Sequence, residues 1–285
     1  CALPIWGLDI VLIKKSEIIE LSEGIRSAIN GKSVDFRDNK EGAWSILKND
    51  INTLVNMKNE QMNLAQKERD ILTEYLADIS HQLKTPITSM KIMADLVEMA
   101  PPQKQAEFMK SIKISLSRME WLVATLLKMA RLDSGVIEFS IVSIKTKELI
   151  KKALQPLEIL LDVKNQTVDV VNDVELMCDQ RWTAEALTNL IKNASEYSPV
   201  NGKITIDCGI NPIYRWVSVT DSGAGLKKEN FAGIFERFSY SQNEDGYGIG
   251  LPLAQSIIRH QNGDIDIDGG GKGKGATFII KFFTS

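Results

Sequence analysis

The chain has 285 residues, 44% hydrophobic and 25% charged: ordinary globular material with room for two domains but not for a further large catalytic one. A net charge of −3 and the lack of a long Lys/Arg run argue against nucleic acid as a partner. Three cysteines, Cys1, Cys178 and Cys208, form neither an even-numbered framework nor a metal-ligand spacing; with two distant histidines they do not suggest zinc, and they fit a reducing cytosol.

Ala2 to Ile13 is apolar, yet too short to span a bilayer and interrupted by Asp9. With Trp6 and the Lys14-Lys15 pair it reads either as the remnant of a membrane span or as a small packing helix. The chain starts at Cys rather than Met, so we expect the cytoplasmic portion of a longer, membrane-anchored protein. From Ser16 to Asn30, Ile18, Leu21, Ile25 and Ile29 form a helical stripe that Asn30-Gly31 ends. A connector with Val34 and Phe36 follows, then a second helical pattern through Trp44, Leu47, Ile51 and Leu54. Over residues 15–56 this resembles a HAMP relay module; a plain coiled-coil lead-in is the alternative. The second helix has no Gly or Pro break through the polar stretch Met57–Arg69, as a partly solvated coiled coil for mechanical transmission would.

From Leu72 onward, apolar residues recur at Leu76, Ile79, Leu83, Ile87, Met90 and Val97, a helical period. His81 falls on the side opposite that stripe, with Glu74, Asp78, Thr85 and Thr88. Pro86 takes away the hydrogen-bond partner of the Gln82 carbonyl, so a bend or loosening is expected just after the histidine. Ser80-His81-Gln82-Leu83-Lys84-Thr85-Pro86 resembles the H-box of bacterial sensor histidine kinases, with Gln82 where the family usually carries an acid. Pro101-Pro102 ends the pattern, and a second long helix follows with Ala106, Met109, Ile112, Leu116, Met119, Val123, Leu126 and Ala130. One hairpin cannot bury two one-sided stripes; two hairpins in a four-helix bundle can, which predicts a homodimer. Asp133-Ser134-Gly135 marks a boundary, giving an all-α dimerisation and phosphotransfer unit over 57–134.

Residues 137–285 change character. Strands are expected at 137–143, 166–171, 203–208, 214–220, 265–268 and 277–282, and helices at 146–162, 181–197 and 251–261. Strands and helices do not alternate strictly, so an α+β two-layer sandwich is favoured. Asn189 and Asn193 lie four apart on one helical face, and amide oxygens are hard ligands of the kind Mg²⁺ accepts. Asp221 follows an apolar strand at a Gly turn, where its carboxylate can accept a hydrogen bond from an exocyclic amine. Gly246, Gly248 and Gly250 let backbone N–H groups approach phosphates at the start of a helix.

In order, Asn189–Ala194, Asp221–Gly225, Ile234–Phe238, Gly246–Leu251 and Gly275–Phe278 resemble the N, G1, F, G2 and G3 boxes of the ATPase domain that histidine kinases share with certain topoisomerases, mismatch-repair proteins and chaperones. The resemblance implies that ATP and Mg²⁺ are bound, with Asn193 on the metal and Asn189 beside it. Tyr197 would lie against adenine and Asp221 would read its amine, with Gly223, Gly225 and Thr277 around it. Phe235 and Phe238 would pack beneath a short lid over 239–245. Glu196 and Tyr240 stand where many relatives carry basic residues, which leaves phosphate contacts to Arg237 and Lys192.

The implied function is a protein-histidine kinase. It phosphorylates His81, passes the phosphoryl group to an aspartate of a response regulator, and uses Thr85 in a phosphatase activity toward that partner. A catalytically degenerate scaffold, or an ATPase working by dimer closure, are the alternatives. The run Gly269–Gly275 reads as a hairpin turn, and His260 as a structural residue at a helix C-terminus.

Overall fold

The structure is a computed structural model that describes residues 15–29, 34–37, 42–231, 233–238, 248–269 and 275–284. The apolar segment 1–14, the lid 239–245, Gly246, Tyr240 and most of the glycine run after Gly269 lie outside the described residues. The chain divides into two compact units, Cys1–Ala77 and Asp78–Ser285.

In the first unit, helix α1 (Lys15–Ile29) is followed by residues 34–37, in neither helix nor strand, and the beginning of α2 (Ala43–Met99). Phe36 is buried: its ring lies where a Cβ on Gly24 would fall, and its N–H donates to the Asn52 side chain at 3.2 Å. The connector's aromatic residue thus ties α1 to α2.

The second unit contains the rest of α2 and α3 (Pro102–Asp133), joined by the turn at Ala100-Pro101. Pro at the first helical position suits α3 because its missing N–H would be unsatisfied there anyway. The bend expected after His81 does not interrupt α2, which stays helical through Pro86. Pro86 itself is buried. Much of the apolar stripe of α2 remains exposed in the single chain, with Leu72 at 58%, Leu76 at 57% and Ile87 at 49%. Among the described residues no helix is long and apolar enough to cross a membrane.

Beyond Gly135 the chain forms β1 (Ile141–Lys145), α4 (Thr146–Leu154), α5 (Glu158–Val163), β2 (Thr167–Val170), β3 (Glu175–Asp179), α6 (Gln180–Tyr197), β4 (Lys203–Ile210), β5 (Tyr214–Thr220), α7 (Gly250–Arg259), β6 (Gly263–Asp268) and β7 (Thr277–Phe283). A five-stranded sheet in the order β2-β4-β5-β7-β6 is antiparallel except for the β2–β4 pair, and β1 pairs with β3 in a separate two-stranded sheet. Alternate residues of β4 and β7 are buried, so one sheet face packs against α4, α6 and α7, giving the two-layer α+β sandwich. Ile204, Ile206, Phe278 and Ile280 are fully or nearly fully buried there, each worth about 1.5–3 kcal/mol relative to exposure.

Three local expectations are corrected. The first strand forms at 141–145 rather than 137–143; Ile137 and Phe139 pack on the core without strand pairing. β3 was not expected, because Glu-Leu-Met-Cys-Asp lacks β-branched residues. The single helix expected over 146–162 is split by a 3-10 turn at Gln155–Leu157, where Pro156 cannot donate to the helical ladder.

Candidate functional site: an exposed imidazole and a buried carboxylate

His81 lies on α2 with its side chain exposed, beside a groove of about 510 Å³ lined by His81, Lys84, Thr85, Thr88, Ser89, Ile92 and Met93. Gln82 is half-buried next to it, and the Thr85 hydroxyl donates to the His81 carbonyl at 3.3 Å, one turn back along the helix. An imidazole presented this way can act as a nucleophile without disturbing the helix that carries it.

The second cluster is built where β5 ends. Asp221 is buried, and each of its carboxylate oxygens accepts a backbone N–H: Oδ1 from Gly223 at 2.7 Å and Oδ2 from Ala276 at 3.1 Å. Burial raises its pKa above the ordinary carboxylate value, and those two hydrogen bonds partly counter the rise. Gly275 donates to the Gly223 carbonyl at 3.1 Å and closes the ring around the carboxylate. Thr277 opens β7 opposite Thr220, their hydroxyls 2.9 Å apart.

Helix α6 supplies the facing wall. Asp179 caps its start by accepting from the N–H groups of Arg181 and Trp182. Asn189 is buried; its amide nitrogen donates to the Glu185 carbonyl, which turns Oδ1 toward Gly250 at the start of α7. Asn193 and Tyr197 follow at one-turn intervals, both half-buried. The Tyr197 carbonyl lies against Gly223 so closely that a Cβ there would sit 2.4 Å from it. The structure therefore brings Asn189 to the glycine helix and Tyr197 to the Asp221 turn. Among the described residues no group of three or more His, Cys, Asp or Glu could hold a metal ion. The donors offered on this wall are amide oxygens, which fit a Mg²⁺ shared with substrate phosphates.

Gly248 precedes α7 and its carbonyl accepts the Phe238 N–H at 3.2 Å. Phe235 ends a short 3-10 turn and packs with Phe238 on the core, whereas Gly225 lies in the turn after Asp221. Arg237, expected at phosphate, pairs with Asp133 at the end of α3, at 2.7 Å. Lys192 lies over the Trp121 ring, 4.5 Å from its centroid, and 3.8 Å from Glu196.

Sequence reasoning missed the brace behind this wall. Gln166 is buried and donates to the carbonyls of Ser195, Ser198 and Pro199, while its own oxygen accepts from the Ser195 hydroxyl at 2.6 Å. The Lys164 ammonium donates to the Ser195 carbonyl at 2.7 Å, a cation placed at a helix C-terminus. The Ser198 hydroxyl then accepts from the Ser222 N–H, linking the end of α6 to the Asp221 turn. A polar Gln and a Lys just ahead of a strand were the only signal, and composition alone does not reveal their burial.

A model of the His Kinase A (phospho-acceptor) domain matches residues 71–135, and one of the histidine kinase-, DNA gyrase B- and HSP90-like ATPases matches 178–284. The heme sensor protein HssS of Staphylococcus saprophyticus is 30% identical over 78% of this chain and 49% of its own length; the sensor protein SrrB of Staphylococcus aureus strain MRSA252 is 31% identical over 80% and 40%. The chain belongs to the sensor histidine kinases. It spans about half the length, or less, of these curated relatives. As a member of that family it also shares its fold with solved structures. The histidine kinase ThkA, in complex with the response regulator protein TrrA, gives a TM-score of 0.64 at 24% identity, covering 80% of this chain and 66% of that one. The Acinetobacter baumannii histidine kinase AdeS gives 0.59 at 24%, covering 71% and 97%.

Proposed function

We propose that this chain is the catalytic portion of an ATP-dependent protein-histidine kinase that phosphorylates His81 and passes the phosphoryl group to an aspartate of a response regulator. The observation that carries the reading is the pairing, in one chain, of an exposed imidazole on a helical hairpin with a buried carboxylate held by two backbone N–H groups. An ionised carboxylate so held keeps acceptor capacity for the adenine amine, and its burial makes that one hydrogen bond selective. Tyr197 and Thr277 flank the base, and Asn193, with Asn189 behind it, holds Mg²⁺. Bound Mg²⁺ supplies neutralisation of phosphate charge. The backbone around Gly246, Gly248 and Gly250 receives the phosphates at the start of α7. A nitrogen of His81 bonds to the terminal phosphorus as the bond to the ADP oxygen breaks, and ADP leaves with that electron pair. Gln82 cannot take up a proton; its amide oxygen orients the ring by one hydrogen bond. Thr85 orients water on the phosphorylated receiver, which docks along the groove beside His81.

Exposed Leu72, Leu76 and Ile87 support a homodimeric four-helix bundle that covers them. The Phe36 tie between α1 and α2 supports a HAMP-like relay over 15–56, with a membrane anchor elsewhere in the parent protein. Gln82 and Glu196 favour the second reading, a scaffold that binds nucleotide without transfer. Both are tested by incubating wild type and His81→Gln with terminally labelled Mg-ATP. Acid-labile, base-stable label on the wild type alone is expected; nucleotide binding with no such label establishes the scaffold instead.

A further inference from the structure

One face of α3 is consumed by the catalytic lobe. Leu122, Thr125, Met129 and Leu132 are buried there, and the three apolar ones belong to the same core cluster as Leu253 and Ile257 of α7. Polar contacts frame them: Lys128 pairs with Glu185 at 2.7 Å, Lys192 covers the Trp121 ring, and Arg237 reaches both oxygens of Asp133 at 2.7 and 2.9 Å. The two cations that sequence reading assigned to phosphate are thus both turned toward the hairpin.

Arg237 also precedes the residue that is hydrogen-bonded to the Gly248 turn. Its neighbour Phe238 donates to the Gly248 carbonyl from a left-handed conformation, φ 59°, which a bulky side chain adopts only when its surroundings hold it there. One hydrogen bond thus joins the Gly248 turn to the segment that carries Arg237. Among the described residues, those that line the groove around His81 all belong to α2.

We propose that Asp133 is an internal rival for nucleotide phosphate. It holds Arg237 on α3 and keeps the lobe docked on the hairpin; a triphosphate at the glycine turn draws Arg237 away and frees the lobe to approach a histidine. Nucleotide binding and undocking are then one coupled equilibrium, and each favours the other by the same factor. This rests on the reading of the Gly248 turn as a nucleotide site.

The test uses the whole chain, with binding of a fluorescent non-hydrolysable ATP analogue and hydrogen exchange of residues 121–133 as readouts. In wild type, the analogue should raise exchange on α3. Asp133→Asn should show that raised exchange without nucleotide and bind the analogue about five-fold tighter, the lower end of ordinary coupling. Exchanging the two charges, Asp133→Arg with Arg237→Asp, should restore α3 protection while leaving analogue affinity below that of wild type. If wild type binds the analogue and Asp133→Asn matches it in both readouts, the latch is overturned and the nucleotide site stands. If wild type binds none, the nucleotide site falls and takes the latch with it.

Discussion

Gly275→Ala is the substitution for which the structure gives the firmest magnitude. Gly275 has φ 73°, and a Cβ there would sit 1.9 Å from the Asp221 carbonyl oxygen and 2.8 Å from its carbon, both backbone atoms that no rotamer change can move. The left-handed conformation alone costs an L-residue about 1–2 kcal/mol. Relief requires the β7 start to back away by about the deficit from ordinary contact, an ångström or more, which breaks the Ala276 N–H bond to Asp221 Oδ2. A hydrogen bond to a charged group is worth about 1.5–3 kcal/mol. Together these give a loss of about 2.5–5 kcal/mol, which for a folding unit near 150–250 residues lowers Tm by roughly 2–4 °C for each kcal/mol. Thermal unfolding followed by circular dichroism, alongside ATP-analogue titration, reads both effects. Adenine binding should weaken more than stability predicts, because the carboxylate loses its alignment as well as its support. Native Tm and native affinity together would refute the steric reasoning.

Three further outcomes are expected. Gln82→Glu places a proton acceptor beside His81 and should raise autophosphorylation by about 10², the low end of positioned acid–base catalysis; a rate at or below wild type, measured with labelled ATP, counts against the assignment of Gln82. Thr85 is exposed and its hydroxyl rests on the His81 carbonyl, so Thr85→Ala should change stability by less than about 0.5 kcal/mol. Dephosphorylation of the receiver should nonetheless fall, and an unchanged rate removes Thr85 from that role. Because burial raises the folded-state pKa of Asp221, its contribution to stability is present at low pH and is lost as pH rises through that raised value. Adenine binding needs the ionised form and runs the other way, weakening as pH falls toward that value. Opposite pH trends in urea midpoint and nucleotide affinity, both absent in Asp221→Asn, are the expected signature.

The parts of this molecule legible in the sequence were those with a local cause. The 3.6-residue stripe gave both long helices and put His81 outward, and Pro101-Pro102 and Gly135 delimited the hairpin. The order of the Asn, Asp-Gly, Phe and Gly segments located the second cluster. What escaped depended on partners distant in the chain. The ion pair of Arg237 was not foreseen, because its match, Asp133, lies 104 residues away. β3 has little strand propensity of its own and forms because β1 offers it a ladder, with Ser143 facing Met177. Gln166 was read only as the start of a strand, yet it lies just ahead of β2 and closes the space between it and the end of α6.

That brace divides the pocket mechanically. The end at Tyr197 and Asp221, where the proposed reading puts the base, is cross-linked through Gln166, Ser198 and Ser222 into the sheet. The opposite end, at Gly248, is slung between α7 and a turn whose own anchor is an ion pair with about a quarter to two-fifths of its surface in water. On the proposed nucleotide reading, such a pocket would take the base in a preformed slot and fit the phosphates by how far its other end yields.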